Sequence, residues 1–232
     1  MQKQKSITFH PLAFQIIMTI KERYKRTIEY FQLNRPEAET ELMYTDPFEL
    51  IVAVILSAQC TDKRVNMITP SLLEKYPDAK SMAEAEPHEI LEFIKSCSYP
   101  NNKAKHLTGM ARMLVREFGG KVPSEPSELQ RLPGVGRKTA NVVASVVYRK
   151  PVMAVDTHVY RVSVRLGLVR NAKTPLSAEI QLSENFPEGM IHKAHHWLIL
   201  HGRYVCKARN PLCSQCGLKE FCKYFAEKNK EK

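Results

Sequence analysis

The sequence has no apolar run long enough to cross a membrane and no stretch of sustained alternation between apolar and polar residues. It also lacks an internal repeat and a low-complexity segment. These absences exclude a membrane-spanning helix and argue against a β-sheet fold or a solenoid. Apolar residues recur at helical spacing instead, which predicts a soluble, intracellular, all-α protein.

Acidic residues are too few to balance the basic ones. The chain has 24 Asp and Glu against 35 Lys and Arg, and its formal net charge is +11. Such an excess suggests a polyanionic partner, and nucleic acid is the commonest one. On charge alone, a basic protein without such a partner is an equally good interpretation.

The apolar stretch Phe9–Ile20 resembles part of a signal peptide. His10 and Pro11 interrupt it, however, charged residues follow it, and no small-residue cleavage site is present. Apolar residues continue beyond it at helical spacing, so we expect an amphipathic helix. The residues of this pattern are Leu12, Ile16, Ile17, Ile20, Tyr24 and Ile28.

Caps and turn residues divide the rest of the chain into helices. Asp46 and Pro47 have the residue types of an N-cap and a first helical position, and Asp62 is the expected cap of the next helix. The tail after Phe225 is mostly Lys, Glu and Asn, so we expect it to be disordered. The predicted helices are Pro47 toward Gln59, Asp62 to about Tyr76, Pro87–Lys95, Asn102–Phe118, Pro126–Arg131, Gly136–Tyr148, Thr157–Leu166, one after Pro175 and a long one before Cys206.

Four of the six cysteines fall within 17 residues near the C-terminus, whereas Cys60 and Cys97 stand alone. A secreted disulfide framework spreads its cysteines through a smaller chain, so a metal site is the better interpretation. Tetrahedral zinc and a cubane iron–sulfur cluster both accept four thiolates. Zinc sites favour paired short knuckles and only one is present here, so the spacing favours iron–sulfur. The four residues are Cys206, Cys213, Cys216 and Cys222, spaced C-x6-C-x2-C-x5-C.

The segment Leu132-Pro-Gly-Val-Gly136 lies between two predicted helices. Gly134 and Gly136 permit a tight reversal and expose backbone amides that lead into a helix N-terminus, which is an anion site. We expect a DNA phosphate there, bound without sequence reading, although a structural helix–helix turn is the alternative. Arg137 follows as a phosphate-contacting or solvated side chain.

Lys138 and Asp156 are the candidates for chemistry. A helix N-terminus, partial burial and a cationic neighbour would favour the neutral amine of Lys138, the form that attacks carbon. Asp156 precedes a predicted helix, and its residue type favours an N-cap. A second role as a catalytic carboxylate, stabilising positive charge at C1′ of a nucleotide, is compatible with capping.

Several motifs in this order resemble the endonuclease III family, the helix-hairpin-helix DNA glycosylases with an iron–sulfur loop. The resemblance covers roughly residues 40 to 224, and the ordered motifs are specific. The motifs are Ser57-Ala-Gln-Cys-Thr-Asp62, Leu132-Pro-Gly-Val-Gly-Arg-Lys-Thr-Ala140, Ala154-Val-Asp-Thr-His158, His195-His-Trp-Leu-Ile-Leu-His-Gly-Arg203 and the four-cysteine cluster.

The resemblance implies two all-α domains with a DNA-binding cleft between them. Residues 40–150 would form a six-helix domain, and residues 1–39 with 151–232 would form the cluster-bearing domain. By the same resemblance Lys138 is the Schiff-base nucleophile, Asp156 is the essential carboxylate, and the four cysteines ligate a 4Fe–4S cluster, with zinc as the weaker alternative.

The resemblance also assigns DNA contacts and an activity. Gln59 would fill the gap left by the extruded base, Tyr99 stands where relatives carry an apolar wedge, and His158 is a cleft residue by position only. The implied function is a bifunctional glycosylase and AP lyase that removes oxidised pyrimidines from duplex DNA and cleaves abasic sites. We expect a cytoplasmic monomer without membrane contact, associated with the nucleoid if bacterial.

Two other functions were weighed against this one. An adenine-specific glycosylase of the same superfamily lacks the hairpin lysine and carries a glutamate in the helix before Gln59, whereas Ile51–Leu56 contains no acid. That alternative is rejected. A non-enzymatic DNA-binding module with a structural metal would also explain the charge, the hairpin and the cysteines, and only Lys138 with Asp156 argues against it.

Overall fold

The computed structural model describes residues 18–230 and contains, over that range, helices and turns but no β-strand. The predicted all-α class is confirmed. Short 3₁₀ turns occupy Glu188–Met190, Cys213–Gln215 and Lys219–Phe221. The α-helices are α1 Ile20–Asn34, α2 Pro47–Ser57, α3 Asp62–Lys75, α4 Ala79–Glu84, α5 Pro87–Ile94, α6 Pro100–Phe118, α7 Pro126–Leu129, α8 Arg137–Tyr148, α9 Thr157–Leu166, α10 Pro175–Asn185, α11 Ile191–Tyr204 and α12 Lys223–Lys230.

Several helix starts differ from the sequence prediction: α6 begins at Pro100 rather than Asn102, and α8 begins at Arg137 rather than Gly136. Helix α1 begins at Ile20, because the Thr19 hydroxyl accepts a hydrogen bond from the Glu22 amide and caps it. The part of the predicted N-terminal helix within residues 9–17 lies outside the described residues. Helix α3 is capped by Thr61 rather than Asp62, since the Thr61 hydroxyl accepts from Arg64 N at 3.3 Å.

Two helices were not predicted. Helix α4 is only six residues long and begins with a capping box between Asp78 and Ser81, a signal that the apolar pattern does not carry. Helix α12 replaces the expected disordered tail. It is anchored by the Arg165 guanidinium, 4.6 Å from the Tyr224 ring centre, and by Ala226 N donating to Cys222 O.

The first of two apolar clusters is built almost wholly from residues 40–150, which we call the hairpin region, and Ala154 joins it from the following segment. Its centre is α2, in which every residue from Leu50 to Leu56 is buried. A helix that is apolar on all sides must be covered on all sides, and α3, α6 and α8 pack against it. With α4 included, this region has seven helical segments rather than the expected six.

The second apolar cluster lies in residues 18–39 and 151–230, which we call the cysteine-loop region. Helix α9 packs against α10, α11 and α12, and Phe31 of α1 stacks on Trp197 of α11 with ring centres 5.7 Å apart. The two separate clusters support the proposed division near residues 40 and 150.

Side chains connect the two regions where α8 contacts α11. Asn141 Nδ2 donates to Met153 O at 3.1 Å, and Arg137 pairs with Glu179. Among the helices of residues 18–230, none combines the length and apolar character needed to span a bilayer.

Candidate functional site

The turn between α7 and α8 requires one of its two glycines. Val135 N donates to Leu132 O at 3.0 Å and closes a turn in which Gly134 has φ of +79°. A Cβ on Gly134 would lie 2.7 Å from His106 Cβ of α6, so only glycine fits there. Gly136 has a φ of −84° and open space around it, so the geometry does not demand glycine at that position.

The N-terminus of α8 is open to a ligand. Gly136 is its N-cap and makes no side-chain hydrogen bond to the first turn, so the first backbone amides point outward without a protein cap. Arg137 is not free beside them, because its guanidinium binds both carboxylate oxygens of Glu179 at 2.6–3.2 Å. This ion pair raises the pKa of Arg137 further above its ordinary value.

Lys138 lies at the junction of the two regions, one residue into α8. Its side chain is exposed, so the partial burial expected from the sequence is wrong for the protein without DNA. It borders a cavity of about 50 Å³ together with Ser57, Asp62, His195 and Arg203. We call this space the small cavity. The cysteine-loop region therefore stands opposite the amine without covering it.

Asp156 is the N-cap of α9, as its sequence position predicts. Its Oδ1 accepts hydrogen bonds from His158 N at 2.8 Å and Val159 N at 2.7 Å. The side chain is half-buried. Two backbone donors on one oxygen fix the orientation of the carboxylate, and Oδ2 is the oxygen that takes no part in these capping bonds.

A wider groove of about 720 Å³ lies beside the small cavity. Its wall includes His158, Cys60 and Lys63. The His158 ring is oriented by Arg161, whose Nη2 lies 3.1 Å from its Nδ1 and also donates to Gly202 O at 2.8 Å. The structure thus brings His158 to the same junction as Lys138.

One arginine separates the two spaces. Arg203 donates to Asp62 Oδ2 at 2.5 Å and also to the Glu41 carboxylate, and these three residues line both the small cavity and the wide groove. Burial alone would lower the pKa of Arg203, but its two carboxylate partners raise it. Sequence reasoning missed this role, because the partners lie far apart in the chain.

Gln59 and Tyr99 lie on two neighbouring loops in left-handed backbone conformations, with φ of +55° and +54°. We call them the Gln59 loop (residues 58–61) and the Tyr99 loop (residues 95–99). The Ser98 hydroxyl donates to Gln59 O and links them. Tyr99 is 62% exposed, so its ring is accessible from solvent. Non-glycine residues adopt such backbone angles only where surrounding contacts impose them.

A buried lysine supports the Gln59 loop from beneath. Lys103 of α6 is only 5% exposed, and its ammonium donates to Leu56 O at 2.8 Å and Ala58 O at 2.7 Å. These carbonyls belong to the C-terminal end of α2, where a cation is favoured. Burial lowers the pKa of Lys103. The sequence carries no local signal for this contact.

The histidines of α11 pack inside the protein. His195 and His196 are both buried, and His195 Nδ1 lies 2.8 Å from Ala154 O. Burial lowers the pKa of His195 to about 4 and that of His196 to about 2, so both are neutral near pH 7. They are packing residues here rather than DNA contacts.

The four C-terminal cysteines lie half-buried in residues 205–222, the cysteine loop, and no disulfide joins them. Arg165 Nη1 lies 3.5 Å from Cys206 Sγ, and burial raises the pKa of Cys222 to about 11. A cationic iron centre would stabilise the thiolates that this burial disfavours. Over residues 18–230 no three His, Cys, Asp or Glu side chains are grouped as ligands of one metal ion. The thiolates of a cubane bind four different irons, so they need not converge on one atom.

Arginine side chains hold the backbone of the cysteine loop. Arg165 donates to Lys207 O at 2.7 Å and Ala208 O at 3.1 Å, and Arg161 donates to Cys206 O at 3.0 Å. Arg23 donates to Phe221 O at the other end. The only sequence signal for these anchors was the spacing of two arginines, four residues apart, on one face of α9.

Comparison with known proteins identifies the relatives of this arrangement. The chain is 46% identical to endonuclease III of Rickettsia felis over 200 residues, which is 86% of this chain and 93% of the relative. The chain belongs to the endonuclease III family. Residues 52–188 match the model of the HhH-GPD superfamily base excision DNA repair protein, and residues 206–222 match the iron-sulfur binding domain of endonuclease III.

Further relatives extend the endonuclease III match. The Bacillus subtilis endonuclease III is 45% identical over 84% of this chain and 90% of the relative. A solved structure of a trapped endonuclease III–DNA covalent intermediate superimposes with a TM-score of 0.86 and 40% identity, covering 91% of this chain and 100% of that one.

Membership confirms several predictions. The protein is a DNA-binding base excision repair enzyme, a DNA glycosylase with AP lyase activity. The non-enzymatic module is therefore wrong. The chain binds an iron–sulfur cluster through the segment that contains the four cysteines, and the zinc alternative is not supported.

Proposed function

We propose that this member of the endonuclease III family removes oxidised pyrimidines from duplex DNA and cleaves abasic sites, with Lys138 as the nucleophile. The observation that carries this proposal is the position of the Lys138 amine. It is accessible, it follows the open N-terminus of α8, and it faces a cavity between the two regions. A lysine on a closed surface or inside the core could not reach a sugar carbon.

The proposed chemistry begins when the lone pair of the Lys138 amine attacks C1′ and the bond from C1′ to the base breaks. The base leaves with the bonding electrons and takes a proton. The C1′–O4′ bond then breaks, O4′ takes a proton, and an imine forms between C1′ and Nζ as the amine loses its protons. The imine acidifies C2′, so that loss of a C2′ proton breaks the C3′–O bond and releases the downstream strand with its phosphate. We assign to Asp156 the stabilisation of positive charge at C1′ and the uptake of a proton, with its orientation fixed by the α9 cap.

The proposed DNA contacts come from several loops and from the hairpin turn. Gln59 and Tyr99 would enter the duplex from their two loops, and strain in both loops indicates that they are held ready to do so. The amides at Gly134 and Gly136 would bind a phosphate, and His158 would contact the strand in the wide groove. We propose that Arg137 exchanges Glu179 for a phosphate when DNA binds.

The cofactor proposal is a 4Fe–4S cluster held by Cys206, Cys213, Cys216 and Cys222. When bound, it would supply cationic iron that stabilises four thiolates and fixes the path of the cysteine loop. Arg165 and Arg161 hold the same loop through its carbonyls. We propose that the protein acts as a monomer in the cytoplasm or on the nucleoid, since all proposed site residues lie on one chain.

Borohydride trapping tests the nucleophile. Reduction in the presence of a duplex containing thymine glycol or an abasic site should give a covalent protein–DNA adduct with the wild type and none with Lys138→Ala. Lys63→Ala is the matched control, because Lys63 is also an exposed lysine and borders the wide groove. It should retain the adduct. An adduct that still forms with Lys138→Ala would contradict the assignment of Lys138 as the nucleophile.

A second variant separates capping from catalysis at Asp156. Asparagine caps helices as well as aspartate does, so Asp156→Asn should change the free energy of unfolding by less than about 0.5 kcal/mol. Loss of the carboxylate should lower kcat for base release by at least about 100-fold. Unchanged kcat in a stably folded Asp156→Asn protein would restrict this residue to its structural role.

A further inference from the structure

Two cysteines outside the cysteine loop lie close together. Cys60 Sγ and Cys97 Sγ are 3.9 Å apart, although 37 residues separate them in the chain. Cys60 is in the Gln59 loop and directly follows Gln59, and Cys97 is in the Tyr99 loop, two residues before Tyr99. The two thiols therefore lie side by side in the two loops that are proposed to enter DNA.

The two thiols differ in their access to solvent. Cys60 is half-buried and borders the wide groove, so a small solute can reach it. Cys97 is 5% exposed and can meet only its neighbour. Burial, followed by the proximity of Cys60, raises the pKa of Cys97 to about 11. The nearby Lys103 ammonium favours the thiolate of Cys97 and offsets part of this rise.

We propose that Cys60 and Cys97 form a modification site, which peroxide converts into a reversible disulfide that ties the Gln59 loop to the Tyr99 loop and weakens binding of lesion-containing DNA. The disulfide itself does not depend on the proposed function, whereas its effect on binding rests on the proposed roles of Gln59 and Tyr99. Intracellular disulfides of this kind are transient and act as sensors.

The oxidation balances in two steps. The Cys60 thiolate attacks one oxygen of hydrogen peroxide, so that an S–O bond forms, the O–O bond breaks and hydroxide leaves and is protonated to water. The Cys97 thiolate then attacks the Cys60 sulfur, so that the S–S bond forms and the S–O bond breaks, releasing a second hydroxide that is also protonated. Two thiols and one peroxide give one disulfide and two waters.

The geometry explains the effect on DNA. A disulfide requires its sulfurs to be about 2.05 Å apart, so the two atoms must approach by roughly 2 Å. Side-chain rotation can supply this approach, and the bond then fixes the separation of two loops whose backbone is in a left-handed conformation at Gln59 and Tyr99. The Ser98 hydroxyl bonds to Gln59 O and the Lys103 ammonium bonds to Ala58 O, so the disulfide would add a covalent link to contacts that already bring the loops together. The oxidised loops could not separate around a duplex.

The experiment uses the cluster-containing protein. After mild treatment with hydrogen peroxide, peptide mass spectrometry should find Cys60 linked to Cys97 with the loss of two hydrogens. Affinity for a duplex with a tetrahydrofuran abasic analogue should fall about tenfold and return after dithiothreitol. The visible absorbance of the cluster, recorded in the same sample, should stay constant.

Cys97→Ala is the main control, with Cys60→Ser as the second variant if the first folds poorly. Cys97→Ala should bind the analogue as the reduced wild type does and should not respond to peroxide. If peroxide leaves the cluster intact and no disulfide forms, the proposed modification site is wrong. If the disulfide forms but binding of the analogue is unchanged, the proposed effect on the two loops is wrong. A loss of binding shared by Cys97→Ala would assign the effect to the cluster. Failure of the reduced protein to bind the analogue would count against the proposed function alone.

Discussion

The hairpin region and the cysteine loop are held in place by different forces. In the hairpin region, apolar burial dominates: α2 is covered on all sides, and Leu107 and Leu114 of α6 are fully buried. In the cysteine loop only Leu218 and Phe221 are buried apolar residues. The backbone there is held by guanidinium donors and, we propose, by iron.

This difference shows what a repair enzyme gains from a metal centre. A segment with few apolar residues cannot offset the entropy of ordering its backbone by burial, which is of order 1 kcal/mol or more per residue. Directed bonds from α9 and cluster ligation can supply that free energy without a larger core. The loop therefore keeps a largely polar surface.

The largest effect should come from the hairpin core. Leu107→Ala removes a fully buried side chain and should lower the free energy of unfolding by about 2–5 kcal/mol. Leu33→Ala, at a site that is 82% exposed, should change it by less than about 0.5 kcal/mol. Urea unfolding followed by circular dichroism measures both. Equal effects would contradict the assignment of the hairpin region as the burial-dominated half.

Acid should act mainly on the cysteine-loop region. In the folded protein His195 and His196 have pKa values of about 4 and about 2, against 6.5 when unfolded, so their contribution to stability is present above pH 6.5 and is lost as pH falls. When the pH falls from 7.5 to 5.5, the contribution of each histidine to the free energy of unfolding should fall by about 1.4 kcal/mol. Urea midpoints at both pH values test this. His196→Gln should reduce the pH dependence, and an undiminished dependence would point to other groups.

A smaller, local effect should follow from Arg165→Met. The substitution leaves Lys207 O and Ala208 O without their donor. It should lower the free energy of opening of the cysteine loop by about 1–3 kcal/mol, so that the open loop is more populated. Hydrogen exchange of residues 205–212 and the rate of iron loss to a chelator should both increase, with α2 unaffected. Arg209→Met, an exposed arginine of the same loop, is the control. Similar exchange in the two variants would show that the arginine anchors are dispensable.

The smallest effect should arise between the two regions, at Glu179→Gln. This change releases Arg137 and removes one negative charge near the proposed phosphate site. Affinity for duplex DNA should rise by less than about tenfold, and the log–log salt slope should steepen by up to about one unit, because one more phosphate is neutralised. Filter binding at several salt concentrations measures this. A weaker affinity would mean that the ion pair itself positions α8.

Local features of the site were readable from the sequence. Asp156 caps α9, and the turn at Gly134 precedes α8, because caps and turns depend on residues only a few positions apart. The cysteine spacing likewise indicated the iron–sulfur segment. The division near residues 40 and 150 and the roles of Lys138 and Asp156 stay predictions.

Contacts between distant residues were not readable. Arg203 donates a hydrogen bond to Asp62, 141 residues earlier in the sequence, and Lys103 donates one to Leu56, 47 residues earlier. Helix α12 was missed because Arg165 of another helix packs against its Tyr224. The expected burial of Lys138 failed for the same reason: its position in the first turn of α8 carries no information on what stands opposite.

Helix α6 contacts the hairpin turn, and Tyr99, the proposed wedge residue, lies directly before its first residue. His106 closes against Gly134, and Gly109 would bring a Cβ within 3.3 Å of Pro133, while Tyr99 immediately precedes the helix. Seven residues of α-helix set about 10 Å along the axis between Tyr99 and His106. Under the proposed roles, the length of this helical segment would set the distance between the phosphate held at the hairpin and the base step that the Tyr99 ring enters.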